Sequence, residues 1–225
     1  MNVLVVYCHP EPESFNAAVR DAVLETLDKT HQQVRVVDLY GGGFDPVMQA
    51  EEWRRYADKN TNLDPVRDHA QDLLWAEAVI FIYPTWWYGL PAMLKGWLER
   101  VLVPGFAFEI PTETTGPRPK LHHIRRVMVM TTCGATPFVS WIMGQPGRKT
   151  LLRGFRSVCH PLCRTSYLAL YRMDSVPAES RQRHLERVRK AVASLGGGGQ
   201  AQPVASRTIA RPSQTAARPS SAEKR

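Results

Sequence analysis

One stretch constrains this chain more than any other: the six apolar residues Ala78-Val79-Ile80-Phe81-Ile82-Tyr83, which end abruptly at Pro84-Thr85-Trp86-Trp87-Tyr88-Gly89-Leu90-Pro91. With no polar residue to face water, such a run reads as a strand covered on both faces, the situation of a parallel strand between helix layers. Its aromatic terminus then lies at the carboxyl end of the strand, where open α/β sheets bind ligands because the loops there line a crevice. Trp86, Trp87 and Tyr88 are consecutive, so they cannot all turn into one interior, and at least one is expected to be open to a ligand or partner. Held between two prolines, they read as a stiff, flat, weakly polar wall on which a planar heterocycle can lie. Packing of the next helix is the competing use.

The rest of the chain repeats this grammar. Residues 3–7 read as a first strand, and Pro10 and Pro12 forbid helix in the loop after it. Ser14 is then a good N-cap for a helix that places Phe15, Val19, Ala22, Val23 and Leu27 on one face. The free N–H groups and positive dipole end of such a helix form an anion site, to which His9, Ser14 and Asn16 add polar side chains. For Ser14, capping alone is the common use of the residue. Residues 34–39 form a second strand, followed by a loop, Tyr40-Gly41-Gly42-Gly43-Phe44-Asp45-Pro46. Short helices are expected over 51–57 and 63–76. Leu94, Trp97, Leu98, Val101 and Leu102 then make an apolar helical stripe that stops before Pro104-Gly105. Residues 106–119 form a long connection, of a length that usually signals function or interface. A fourth strand over 127–130 ends in Thr131-Thr132-Cys133-Gly134, residues 147–157 read as helical, and 164–171 form a fifth strand. Leu185, Val188, Val192 and Leu195 define the last helix. Five strands alternating with helices imply an α/β, doubly wound parallel sheet, and the length fits the flavodoxin-like order 2-1-3-4-5.

The net charge of +8 raises nucleic acid as a partner, but its placement argues against it. Half of the excess comes from Arg207, Arg211, Arg218, Lys224 and Arg225, set against Glu223, in a Gly-, Ala-, Ser-, Pro- and Gln-rich segment with few large apolar residues. Such a segment cannot offset its ordering entropy, so 1–195 reads as one domain and 196–225 as a disordered basic tail. No run reaches membrane-spanning length, and the N-terminus lacks the basic flank and cleavage site of a secretory signal. Cys8, Cys133, Cys159 and Cys163 are few and scattered, which favours reduced thiols in a cytoplasm over disulfides; no second Cys/His pair at ligand spacing supports a metal site.

Taken together, the chain resembles the flavodoxin-like NAD(P)H:quinone oxidoreductases, a group that includes short bacterial members and flavin-binding ancillary subunits of potassium efflux systems. The resemblance rests on His9-x4-Ser14-Phe15-Asn16, Gly43-Phe44-Asp45-Pro46, Pro84 to Pro91 with Ala92-x2-Lys95-Gly96-Trp97, Gly105-Phe106-Ala107-Phe108, and Thr131-Thr132-Cys133-Gly134, in the family's order over residues 1–195. It implies a flavin, by family habit FAD with FMN as the alternative, whose phosphate sits at the helix capped by Ser14 and is contacted by His9, Phe15 and Asn16. It implies further that Pro84, Thr85, Trp86, Trp87 and Tyr88 hold the isoalloxazine, that Thr131, Thr132, Cys133 and Gly134 face its other end, and that Tyr88, Phe106 and Phe108 line the substrate pocket. The activity implied is ping-pong hydride transfer from NAD(P)H to a quinone, nitro or azo acceptor by a homodimer; the alternatives are a regulatory subunit of an efflux transporter and a low-potential electron carrier, the latter disfavoured by the basic charge. In the family a Tyr and a His after the Thr-Thr-Gly-Gly segment relay charge. Here Thr136-Pro137-Phe138-Val139-Ser140-Trp141 and Gln145 occupy that stretch, and Cys133 replaces a Gly, so no side-chain acid or base is assigned.

Overall fold

The computed structural model describes residues 1–110, 116 and 118–196. Its elements are β1 (Asn2–Tyr7), α1 (Phe15–Lys29), β2 (Gln33–Asp38), α2 (Ala50–Arg54), α3 (Arg67–Trp75), β3 (Ala78–Thr85), α4 (Ala92–Val101), β4 (Phe108–Glu109), β5 (Arg118–Pro119), β6 (Arg126–Cys133), α5 (Pro137–Ile142), α6 (Pro146–Lys149), β7 (Arg164–Tyr171) and α7 (Ala178–Ala193). The sheet runs β2-β1-β3-β6-β7, all parallel, which is the order 2-1-3-4-5 by position; β4 and β5 pair separately as a short antiparallel ribbon.

Pleating divides each central strand between two cores. Leu4, Val6, Val79, Phe81, Val127 and Val129 face α3, α4 and the segment after α6, packing on Leu73, Leu94, Trp97 and Phe155. Val3, Val5, Ile80, Ile82, Met128 and Met130 face α1 and α7, packing on Val19, Val23, Leu27, Val188 and Val192. The apolar run that opened the sequence reading is β3, and all of residues 78–84 are buried, since helices cover both of its faces.

Departures from the sequence reading have local causes. β2 is an edge strand with Val37 as its one buried residue, and it ends at Asp38 because Tyr40 to Gly43 turn there: Gly42 N–H donates to Asp38 O at 2.8 Å. β6 continues three residues past Met130, since Thr131, Thr132 and Cys133 pair with both β3 and β7. The helix over 63–76 starts with a 3₁₀ turn at Asp64-Pro65-Val66. A short helix not read from the sequence, α5, follows Thr136, whose hydroxyl accepts from Val139 N–H at 3.2 Å and so caps it. The connection over 106–119 is not wholly irregular, since it contributes β4 and β5.

The loop after β2 is pinned to α4. Arg100 is buried and pairs with Glu52 at 2.8 Å, donates to the Asp45 carbonyl, and lies over the Phe44 ring. A Cβ on Gly96 would stand 2.1 Å from the Pro46 carbonyl oxygen, so only glycine allows this approach. Arg125, Arg126 and Arg164 sit at the amino ends of β6 and β7, opposite the aromatic turn. The tail over 197–225 falls outside the described residues.

Candidate active site

At the carboxyl ends of the strands the loops after β1, β3, β6 and β7 enclose a cleft of about 410 Å³. It is lined by His9, Ser14, Phe15 and Asn16 from the first loop, Pro84, Thr85, Trp86 and Trp87 from the second, and Thr132, Cys133 and Gly134 from the third. Met173 and Asp174, beyond β7, close it and were not singled out from the sequence. Eleven of the thirteen residues thus come from the three motifs expected to converge. The volume lies in the range of small-molecule and cofactor sites.

Each group of side chains is held by its element. Ser14 Oγ accepts from Ala17 N–H at 3.2 Å, capping the fifteen-residue α1, while the Phe15 and Asn16 amides have no acceptor among the described residues. These amides and the positive helix end suit an anion. Asn16, 3% exposed, donates to Thr132 Oγ1 at 2.9 Å and ties the first loop to the third; its Oδ1 has no partner among the described residues. His9 Nδ1 lies 3.0 Å from the Glu11 amide nitrogen and 3.2 Å from the Glu11 carbonyl oxygen, which fixes the ring against its own loop. Burial lowers the His9 pKa from its ordinary value, against the opposing pull of the Glu11 backbone and charge. Burial pushes the neighbouring Cys8 up to about 12, so it stays a thiol rather than a nucleophile.

The aromatic segment is a tight turn closed by Gly89 N–H donating to Trp86 O at 2.9 Å. Its two central residues, Trp87 (φ 46°) and Tyr88 (φ 61°), are both left-handed. Such a turn normally takes Asn and Gly, and each bulky residue there costs about 1–3 kcal/mol, strain of the kind found at functional sites. The Trp87 and Tyr88 amides make no hydrogen bond among the described residues. The three rings are not one flat wall: Trp86 and Trp87 border the cleft, Trp87 is 93% exposed, and Tyr88 turns away at 58° to Trp87.

Tyr88 instead borders a second, water-sized cavity that shares Thr85 and Cys133 with the cleft and is lined also by Ser140, Gln145, Gly147, Arg148, Tyr167 and Tyr171. Thr131 is buried behind the lining, its hydroxyl 2.9 Å from Thr85 Oγ1. Phe106 and Phe108 line neither space. Phe106 is 8% exposed within the core beneath α4, and Phe108 packs against the same core, so within one chain the expected substrate wall lacks them. Met173, Asp174 and Tyr171 belong to a fourth strand tip; the rule that placed the other loops applies to β7 as well and would have pointed to them. The basic residues before β6 lie at the opposite end of the sheet, away from the cleft.

The profile of the flavodoxin-like fold family matches residues 1–195. A rat protein named ribosyldihydronicotinamide dehydrogenase [quinone] is 36% identical over 126 residues, which make up 48% of this chain and 54% of the relative. The chain thus spans about half the length of the curated relatives it matches. Among solved structures, one from Streptococcus mutans UA159 is 30% identical, covers 86% of this chain and all of its own, and superposes with a TM-score of 0.75. An NAD(P)H:quinone oxidoreductase from Methanothermobacter marburgensis is 27% identical, with coverage of 87% and 98% and a TM-score of 0.76. The profile match, the sheet order and the placement of the cleft lead to one conclusion: the chain belongs to the flavodoxin-like fold family.

Proposed function

We propose that this protein is a flavin-dependent NAD(P)H oxidoreductase that reduces quinones or similar aromatic acceptors such as nitro and azo compounds. The observation that carries the reading is the meeting, in one cleft, of an open helix start, a strained aromatic turn with free amides and a Thr-Thr-Cys-Gly strand tip. The quinone-reducing names of the rat and Methanothermobacter relatives support it. A flavin fits the residues present. The Phe15 and Asn16 amides with His9 suit its phosphate, the buried Asn16 Oδ1 lacks a donor, and the Trp87 and Tyr88 amides lack acceptors that a ring edge would supply. A flavin held there would supply two-electron hydride chemistry between NAD(P)H and a quinone, whose second proton would come from water. The Trp87 and Tyr88 amides would hold its ring edge, and Trp86 and Trp87, which border the cleft, would orient the substrates against it.

FAD is the form proposed, with FMN as the alternative, because Met173 and Asp174 offer an apolar face and a hydrogen-bond acceptor suited to adenosine. The substrate wall on this chain is assigned to Trp87, which borders the cleft. A homodimer accords with the exposed apolar strip Phe138, Trp141, Ile142 and Met143. Four free cysteines accord with a reducing, cytoplasmic setting.

The test is the absorbance spectrum of the purified protein and chromatography of the released chromophore, followed by NAD(P)H oxidation with benzoquinone. A colourless protein that takes up neither FAD nor FMN overturns the reading. Asp174→Ala is expected to weaken FAD binding about tenfold and FMN binding less than twofold, measured by quenching of flavin fluorescence.

A further inference from the structure

The amino-end rim of the sheet, opposite the cleft, carries positive charge that its neighbours leave unpaired. Arg126 opens β6 in register with Arg164, which opens β7, and the Arg125 carbonyl accepts from Arg164 N–H at 3.0 Å. Arg125 and Arg164 are exposed and Arg126 half-buried, and none of the three forms an ion pair among the described residues. Glu77, a carboxylate on the same rim, accepts from Asn2 N–H at 2.8 Å instead. Partial loss of hydration, then the Arg125 and His122 charges, lower the His160 pKa, which places these side chains in one patch.

Beside these arginines the turn over 160–163 holds up an apolar tip. Pro161 is exposed, and Leu162 is 80% exposed. A lone exposed leucine is ordinary on a protein surface, but this one stands on a turn tied at each corner. His160 N–H donates to Ile124 O at 3.1 Å, and Cys163 N–H donates to His160 O at 2.8 Å. Leu162 N–H donates to His160 Nδ1 at 3.0 Å. Arg156 clamps the turn, its Nε donating to Cys163 O at 2.9 Å and its Nη2 to Pro161 O at 3.1 Å. A tip fixed in this way loses little freedom when it enters a second phase.

The chain leaves the domain at the same rim. A Cβ on Gly196 would stand 3.5 Å from Gln32 and 3.7 Å from Thr30, and Gln32 accepts from the Met1 amino group at 2.9 Å, next to the Asn2–Gln33 pair that begins β1 and β2. Beyond Gly196 the sequence carries Arg207, Arg211, Arg218, Lys224 and Arg225 against Glu223. We propose that this rim docks on an anionic lipid bilayer, with Arg125, Arg126 and Arg164 toward the lipid phosphates, Leu162 in the acyl boundary and the basic residues beyond Gly196 as a second, tethered contact. Each Lys or Arg held near an anionic leaflet strengthens binding about fivefold, and an aliphatic tip gains only from a phase it can enter, so the two together favour a bilayer. Nucleic acid would call for stacking rings or a helix shaped to a groove, and the turn presents neither. Docking at this rim requires no flavin in the cleft.

The test is co-sedimentation of the full chain with vesicles of phosphatidylcholine containing phosphatidylglycerol, against vesicles of phosphatidylcholine alone, with duplex DNA as a competing ligand. The wild type is expected to bind the anionic vesicles at least about tenfold more tightly than the neutral ones and to be released by salt. Arg125→Glu with Arg164→Glu should weaken that binding more than about tenfold, and Leu162→Ser about fivefold, with the midpoint of thermal unfolding unchanged because these side chains are exposed. Arg207→Gln, Arg211→Gln, Arg218→Gln, Lys224→Gln and Arg225→Gln together should weaken binding yet keep the preference for anionic vesicles. A wild type that does not distinguish the two vesicles overturns the proposal. So does a wild-type response from both rim variants, which would assign binding to the basic residues beyond Gly196 alone, and so does release of the protein from vesicles by DNA at equal charge.

Discussion

Trp87 stands where a folding argument alone would place asparagine or glycine. Its side chain is almost fully exposed and its φ is positive, so it contributes strain and little burial. Trp87→Gly is therefore expected to stabilise the protein by about 1 kcal/mol in urea unfolding, while kcat/KM for a quinone falls about tenfold. A loss of stability would show that the indole packs in solution. His184 presents the converse case. It is 2% exposed on α7, with both ring nitrogens unpartnered among the described residues, and burial, helped by the Arg187 charge, lowers it to about 4. In the unfolded chain the ring takes a proton below its ordinary 6.5, whereas in the folded chain it does so near 4, so the unfolded state binds more protons between these values. The stabilisation is complete above pH 6.5 and is lost as pH falls toward 4, by about 2 kcal/mol at pH 5. His184→Leu should remove this part of the pH dependence, read as the difference in unfolding free energy between pH 7.5 and pH 5.

At the level of elements, the approach of α4 to the loop after β2 depends on Gly96. Gly96→Ala would drive its methyl into the Pro46 carbonyl, and the expected cost is about 2–3 kcal/mol in thermal unfolding, with displacement of the Phe44-Asp45-Pro46 loop. The strands and long helices were legible in the sequence because their burial is periodic or continuous: β7 was read to the residue, and β3 announced itself as an unbroken apolar run. β6 was cut short at Met130 because Thr131, Thr132 and Cys133 look like a loop until two neighbouring strands pair with them. α5 was missed because six residues leave too little periodicity, and only the Thr136-Pro137 cap marks its start. Three of the four loops around the cleft carried distinctive residues. The fourth, at Met173 and Asp174, carried none, and its place becomes evident only when β7 is seen beside β6. The hydrogen bond from Gln145 Nε2 to the Tyr171 hydroxyl, at 3.2 Å, joins two segments twenty-six residues apart by side-chain geometry alone, which no linear spacing records.

Over the whole molecule, the two cores are completed by α7 and close with Leu195, where the family profile also ends. Truncation after Gly196 is expected to leave the midpoint of thermal unfolding and flavin affinity unchanged while halving the net charge, read as earlier elution from a cation exchanger. A fall in the midpoint would assign the removed segment a place on the domain. The parallel sheet also gives the domain two unlike poles, an uncluttered cleft at one end and, at the other, arginines 125, 126 and 164. Once the basic tail is removed, a negatively charged electrode or bead is expected to hold the domain by that second pole and leave the proposed flavin cleft pointing into bulk liquid. Immobilised catalysis could then be oriented by the native charge layout, without an engineered tether.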